Sequence, residues 1–508
     1  MDKSYDIIFV GAGISAAYTL IHLLNSLNSP AKVNSKLNIL VIEKDKEFWT
    51  GLPYGNRSGK DALIITPLKE FIHRDETALF LSWLQRNFDN CFESKSTRRG
   101  KLLAAWLKKN AALIKAGNWQ DLHIPRYWFG LFIKERVNCL LISAANKGYI
   151  SYSLLNASVS DVRKEKAFYE VVLESSSTYY GKKVILSIGS APAKFVNIAS
   201  FDKSVKPRQL FINHIYGESL PDTLRSITKT LNDGCDRLKN VLIIGSNASA
   251  IELIYHLDDK NLNRLDKLYV ISSSGIFPGR INNKPVKSPF VPPNLVALGE
   301  SEEFTADQIF QCFIKDLKLA DNLTIDREDS YTSVNSTILK LVNELKPDEQ
   351  LRFVLHYGDK IGTYYRRAGS DYFDKVQLLE QHKKIEFIKG NFEKASEFGF
   401  EYKTPATECK VYIDSKLDII INCTGSNTLN KYSPTSGLIK NLINRKICKI
   451  NPSEKGFRVN NNFEADTNFY IMGPLLAGNI VGKHKIWHAE SCKRIYELTF
   501  DLEKHLLK

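Results

Sequence analysis

Asp6-Ile7-Ile8-Phe9-Val10-Gly11-Ala12-Gly13-Ile14-Ser15-Ala16-Ala17 decides how the first half of this chain folds. Residues 7–10 form an unbroken apolar run, as in a strand buried on both faces. The run stops at Gly11, and beyond it Leu20, Leu23, Leu24 and Leu27 recur at helical spacing. Strand, glycine turn and helix open a βαβ unit. In such a unit Gly11 permits the tight turn, and Gly13 lets backbone approach a pyrophosphate at the positive end of the helix. Ala16 holds the third position, where a small residue lets helix pack on strand. A second apolar stretch, 37–42, ends at Glu43, whose carboxylate can accept bonds from ribose hydroxyls. The combination predicts dinucleotide binding; a glycine fingerprint alone also fits a purely structural turn.

With 508 residues the chain is long enough for two or more domains, and 43% hydrophobic with 11% aromatic content suits packed cores. Lys+Arg 70 against Asp+Glu 56 leaves a net charge of +14, which favours acidic partners such as a phosphate-bearing cofactor. The basic residues are scattered. Their densest cluster, Arg98-Arg99-Gly100-Lys101, reads as a solvated loop, so nucleic acid is not the expected partner. None of the eight cysteines lies in a C-x-x-C pair, which leaves no redox-disulfide motif and no zinc-knuckle spacing. No apolar run approaches about 18 residues, so no membrane span is expected. The first strand begins almost at the N-terminus, where a signal peptide would otherwise sit. A reducing cytoplasm is the expected location.

Further along, Phe48-Trp49-Thr50-Gly51-Leu52-Pro53-Tyr54-Gly55 is a punctuated loop, and 90–121 is polar, lysine-rich and partly helical, read as an insertion or a mobile cover. Ile124-Pro125-Arg126-Tyr127-Trp128-Phe129-Gly130 opens another helix. Residues 150–189 alternate as an antiparallel meander whose last strand, 183–188, returns to the parallel sheet. A second strand–turn–helix unit starts at Asn240, with Gly245-Ser246-Asn247-Ala248-Ser249 as its turn. Its next strand runs into Ser272-Ser273-Ser274-Gly275 and ends without a carboxylate, which favours NADPH over NADH. Asn247 stands where the second glycine belongs; Asn tolerates positive φ, yet its side chain narrows the approach to a pyrophosphate. Residues 279–384 are mixed, with a proline-bearing loop at 284–293. A second meander is expected over 385–418. The buried strand 419–422 then leads to Cys423-Thr424-Gly425, and 469–478 to a terminal helix from about residue 484.

The motifs in their order resemble the FAD/NAD(P)-binding proteins of the FAD-dependent urate hydroxylase-like family, relatives of the flavin N-hydroxylating and Baeyer–Villiger monooxygenases. The resemblance rests on Gly11-Ala12-Gly13 with Glu43, the 51–55 loop, 63–67, Pro125-Arg126-Tyr127 with Gly130, 245–250, Ser274-Gly275, Cys423-Thr424-Gly425, and Gly473-Pro474-Leu475 with Gly478. It spans nearly the whole chain, and it departs from the family pattern at Asn247 and in the 90–121 stretch.

The resemblance implies an α/β flavoprotein monooxygenase-like fold with two Rossmann-like domains: an FAD-binding domain from 1–205 and 415–508, and an NAD(P)-binding domain over 206–414. It implies FAD held by Gly11, Gly13, Ile14, Ser15, Ala16, Glu43, Lys44, Gly51, Tyr54, Thr66, Arg126, Gly425, Gly473, Pro474 and Gly478. NADPH would take Gly245, Asn247, Ala248, Ser249, Ser273 and Arg280. Arg126 is the candidate beside the flavin, where it could hold an anionic flavin or NADP+. In such enzymes the nicotinamide reduces the flavin, and one oxygen atom of O2 then passes to a small-molecule substrate. No nucleophile–base triad is required. Two other readings stay open: an FAD-dependent NAD(P)H oxidase or dehydrogenase, and a flavin- or nucleotide-binding protein without catalysis. Substrate and oligomeric state are left open by the sequence.

Overall fold

The computed structural model describes residues 4–27, 36–92, 100–196, 198, 209–234, 236–281, 290–325, 327–405, 407–430 and 437–507. Arg98 and Arg99 of the basic cluster, Cys235, the 205/206 boundary and 284–289 of the proline-bearing loop lie outside them.

The opening strand Ser4–Val10 sits at the centre of the first sheet, between Leu37–Glu43 and Thr178–Leu186, parallel to both. Phe9 pairs with Val41 on one side and Ile185 on the other, and all three are fully buried. That explains the unbroken apolar runs: a strand covered on both faces has no solvent side on which to alternate. Ile150–Asn156 adds a parallel strand beyond Leu37–Glu43. On the other edge Phe469–Ile471 joins Thr178–Leu186 in parallel, with Tyr470 opposite Ile185, and Glu464–Asp466 closes that edge antiparallel. The C-terminal segment thus completes the sheet that the N-terminus began. Val159–Lys164 and Tyr169–Leu173 form the expected meander leading into Thr178–Leu186. Helices Ile14–Leu27, Arg126–Asn146 and Cys492–Leu506 belong to this layer, the first packing on the other two.

The second sheet is parallel throughout, in the order Ile385–Lys389, Leu265–Ser272, Lys239–Ile244, Ile419–Asn422, Leu210–Ile212. Two expectations change here. Residues 385–389 form a parallel edge strand rather than the start of a meander; the antiparallel part is confined to Asn391–Ser396, Gly399–Lys403 and Lys410–Asp414. The strand Ile419–Asn422 lies beside Lys239–Ile244, so a boundary at 415 falls too early and the chain leaves the second sheet only after Asn422. Its four apolar or buried residues look the same in either sheet, which is why the sequence misplaced it.

Between the strands Gly279–Ile281 and Arg367–Gly369 the chain inserts helices Pro293–Leu298, Ala306–Asn322, Arg327–Glu344, Pro347–His356 and Gly358–Tyr364. They bury a core of their own around Ile309, Phe313, Val334, Ile338, Leu341 and Phe353. Thr305 and Gln308 form a capping box at the start of Ala306–Asn322. The fully buried Asp316 accepts from the Asn294 and Leu295 N–H groups at 3.0 and 2.9 Å, tying two of these helices together.

The two chain crossings between the sheets run side by side. Ala193 and Ser426 form an antiparallel bridge, flanked by Lys194 N–H to Gly425 O at 2.9 Å and Asn427 N–H to Pro192 O at 2.7 Å. The helix Gly100–Lys115, within the stretch read as a mobile cover, is docked. Trp106 is buried and donates to His123 O at 2.8 Å, and Lys109 reaches Asp371 and Asp374 at 2.9 Å each. The terminal helix begins at Cys492, because residues after Gly478 first fold back as a hairpin, Asn479–Val481 with His484–Ile486.

Candidate functional site

The first glycine turn is closed by backbone on two sides. Gly11 has φ +95°, and a Cβ there would stand 2.6 Å from the Ser187 carbonyl oxygen. Its N–H donates to Ile42 O at 2.8 Å, and the Ser187 hydroxyl donates to its carbonyl at 2.7 Å. Gly11 is therefore glycine because both neighbouring strands end against it. Gly13 is different: a Cβ there would meet only the backbone of Gly51, 3.5 Å from its Cα. Gly51, at φ +56°, faces Gly13 across 3.2 Å by the same measure. Two bare backbones thus confront each other at the start of Ile14–Leu27, where helical N–H groups have no intrahelical partner. Trp49 holds that loop in place, its N–H donating to Ala12 O at 2.6 Å and its indole to Asn138 Oδ1 at 2.9 Å. This buried Trp takes φ +76°, a strained value for a bulky residue.

Glu43 ends its strand with the carboxylate over the turn, accepting from the Ala12 N–H at 2.6 Å and the Asp45 N–H at 3.0 Å. Burial raises its pKa, and the two amides work against that. Each carboxylate oxygen keeps a lone pair after one amide bond. From the far end of the chain Gly473, at φ +89°, comes against Ser15: a Cβ there would lie 2.6 Å from Ser15 Oγ. Ile14, Ser15 and Ala16 are buried at the helix start, and Pro474 opens the 3₁₀ turn Pro474–Leu476. That turn, not the terminal helix, follows the strand Phe469–Ile471. Gly478 is a scaffold glycine, hemmed in by Ser453 and Asn451.

The second turn repeats the first. Gly245 has φ +99°, its N–H donates to Ile271 O at 2.7 Å, and a Cβ would stand 2.5 Å from the Cys423 carbonyl oxygen. Asn247 takes φ −77°, so tolerance of positive φ is not what it supplies. Its Oδ1 accepts from Arg366 Nη1 at 2.7 Å. Ala248 and Ser249 open the helix Ala248–His256. Ser246 and Ser272 hydroxyls bond at 2.8 Å with Ser274 within 3.4 Å, a hydroxyl cluster at the strand end, while Ser273 is exposed beside it.

Residues 8–191 match the protein-family model described as FAD-NAD(P)-binding. An uncharacterized protein of Mycobacterium tuberculosis is 28% identical over 523 residues, across 99% of this chain and 95% of its own. Among solved structures, the L-lysine 6-monooxygenase of Pseudomonas syringae superposes with TM-score 0.51 at 12% identity, over 99% of both chains. The FAD-bound cadaverine monooxygenase of the desferrioxamine pathway of Erwinia amylovora gives 0.50 at 13%, over 99% of this chain and 93% of that one. The chain has a flavoprotein monooxygenase-like fold.

Within this flavoprotein fold several expected site residues are placed elsewhere. Arg126 is not available to an anionic cofactor. Its Nη1 and Nη2 donate to the two Glu252 oxygens at 2.8 and 2.7 Å, and both side chains are buried. Burial opposes the arginine's charge, but the carboxylate opposite holds its pKa above the usual range. Burial likewise pushes the Glu252 carboxyl up and the guanidinium pulls it down; acceptance by both oxygens is the geometry of an ionised pair. Tyr54 turns into the core, where its hydroxyl accepts from Cys492 Sγ at 3.0 Å. Arg280 points toward Asp374, 3.9 Å away, rather than joining the serine cluster. Lys44 is exposed just past Glu43, Thr66 lies half-buried before the helix Leu68–Phe71, and Gly425 sits in the crossing. Nearby, Tyr365 is buried in the helical insertion, and Arg367 pairs with Glu70 at 2.8 Å.

Glu252 is the residue the sequence reading missed. A carboxylate inside Ala250-Ile251-Glu252-Leu253-Ile254 was a signal, because a glutamate on a buried helix face demands a cationic partner. An open hollow of about 530 Å³, lined by His73, Asn343, Lys483, His484, Lys485 and Glu497, contains none of the glycine-turn residues. Among the described residues no group of His, Cys, Asp and Glu could hold a metal, and no helix is long and apolar enough to cross a membrane.

Proposed function

We propose that this chain is an FAD-dependent oxidoreductase that takes electrons from NADPH and, with O2, hydroxylates a small molecule. The observation that carries the reading is the convergence of Gly13, Gly51 and Gly473 on one helix start, with Glu43 at the end of the adjacent strand. The fit to FAD rests on bare backbone at the helix start and a carboxylate at the adjacent strand end. Two backbones meet where side chains would block a pyrophosphate, and a buried carboxylate keeps lone pairs for ribose hydroxyls. Gly11, Gly13, Ile14, Ser15, Ala16, Glu43, Gly51, Gly473 and Pro474 would hold the cofactor. When bound, FAD supplies the redox and O2 chemistry. The chain's own share is to bind and orient it, and to exclude water through the buried Trp49 loop and the Gly473 turn.

The second sheet would hold NADPH at Gly245, Ala248, Ser249 and the serines around Ser273. Its strand Leu265–Ser272 ends in hydroxyls rather than a carboxylate, which leaves room for a 2′-phosphate. On this reading the FAD domain comprises roughly the first 205 residues with those after 422, and the NADPH domain the residues between. The free cysteines, Cys423, Cys448 and Cys492 among them, suit a reducing cytoplasm. A second reading, an FAD oxidoreductase fed by another donor, draws support from the Arg366 bond that occupies Asn247.

The test is direct. Purified protein should carry a flavin spectrum, NADPH should bleach it without oxygen, and labelled O2 should leave label in an organic product. A protein whose flavin NADPH cannot reduce sinks the proposal and favours the second reading.

A further inference from the structure

An asparagine at the N-cap of a helix ordinarily accepts with its side chain from the second or third N–H. Asn247 holds that position on Ala248–His256 and makes no such bond. Its amide oxygen is given instead to Arg366, 119 residues away. Arg366 is exposed, and this is the hydrogen bond its side chain makes among the described residues. Its backbone is pinned: its N–H donates to Thr363 O at 3.4 Å and its carbonyl accepts from Gly279 N–H at 2.7 Å. Just before it, Tyr365 is buried in the core of the helical insertion. The side chain therefore extends from a fixed base across the mouth of the second glycine turn. In the first turn the matching position is Gly13, which faces only backbone.

We propose that the Asn247–Arg366 bond is a latch, carried by the helical insertion, that closes the second turn and opens before a nicotinamide dinucleotide can seat its pyrophosphate there. The inference rests on the reading that this turn takes NADPH. A site competent only when the latch is open binds with an affinity reduced by the open fraction. The latch is also connected to the flavin side. A Cβ on Gly358, at the start of the insertion's last helix, would stand 2.6 Å from the Trp487 ring, and Lys455 pairs with Asp359. Both partners come from the C-terminal segment that carries Gly473. The insertion's last helix, which leads to Arg366, is thus packed against the segment that carries Gly473.

The experiment uses FAD-loaded full-length protein as wild type, Asn247→Gly, Arg366→Ala and the double variant. NADPH affinity is measured by calorimetry, and hydrogen exchange is followed over 358–366. Each single variant should tighten NADPH binding about tenfold, as expected for a latch shut about nine-tenths of the time. The double variant should gain no more than either single one, because both remove the same bond. Exchange over 358–366 should rise in wild type when NADPH binds, and in Asn247→Gly without it. Weaker binding in Arg366→Ala overturns the latch and makes Arg366 a phosphate ligand. Unchanged exchange in Asn247→Gly overturns it whatever the cofactor does. If exchange rises in Asn247→Gly but no protein binds NADPH, the nicotinamide reading fails and the gating role with it, while the contact itself stands.

Discussion

Arg126 and Glu252, 126 residues apart, close a buried bidentate ion pair between a helix of the first sheet's layer and the helix that follows the second glycine turn. Other ties lie along the same junction. Arg57 bonds Asp45 at 2.8 Å and the Tyr216 and Gly217 carbonyls at 2.8 and 3.0 Å, and the buried Tyr372 hydroxyl donates to Leu63 O at 2.6 Å. The pair thus helps tie the first sheet's layer to the second.

Removing one partner strands a buried charge. Arg126→Met and Glu252→Leu should each lower unfolding free energy by about 3–5 kcal/mol, whereas the double apolar variant should recover most of that loss. Urea denaturation of the four proteins measures the coupling. Additive losses would show that the two groups do not act as a pair.

The two glycines of the first turn should fail differently. Gly11→Ala forces a Cβ against the Ser187 carbonyl and should cost fold stability outright. At Gly13 a Cβ would meet only the Gly51 backbone at contact distance, so Gly13→Val should fold but purify without flavin absorbance. Wild-type flavin occupancy in folded Gly13→Val would remove the pyrophosphate from this turn.

For the nicotinamide, NADPH should reduce the flavin faster than NADH in stopped-flow mixing. Ser273 is exposed at the end of the second strand. Placing a carboxylate there, Ser273→Asp, should raise the KM for NADPH about tenfold and leave NADH nearly unchanged, through repulsion of the 2′-phosphate. An equal effect on both cofactors would mean that Ser273 is not near a 2′ position.

Stability should decline in mild acid. Burial depresses the pKa of His22, His123 and His488 from 6.5 to about 4, and that of His256 to about 3. Each histidine stays neutral in the fold while the unfolded chain takes up a proton below pH 6.5. Stability is therefore full above that pH and is lost as pH falls toward 4, with a slope of up to ~1.4 kcal/mol per pH unit for each histidine. Urea midpoints between about pH 7.5 and pH 5 should show the loss, and His22→Phe should reduce the slope. A flat profile would mean these rings already accept protons in the fold.

Both strand–turn–helix units were legible because their signals are local. An apolar run ending at Gly11 or Gly245 and followed by helical spacing carries its own register, whatever the chain does elsewhere. Glu43 was legible for the same reason, since a strand end and the adjacent turn are fixed by one βαβ crossover. The meander before Thr178–Leu186 followed from alternation.

Local pattern is silent where two sheets offer the same environment. The strand Ile419–Asn422 is buried on both faces in the second sheet, as it would be in the first, so only pairing with Lys239–Ile244 decides its membership. Arg126 is read from sequence as a cation beside a cofactor; only the approach of Glu252 makes it a junction residue. Asn247 is read as a side chain in the way, and only the fold of the helical insertion brings Arg366 to hold it there. The sequence by itself determined the two turns, because backbone geometry there depends on a few adjacent residues. Tertiary structure alone decided which charges meet, because a side chain's partner is chosen by three-dimensional proximity and desolvation rather than by sequence distance.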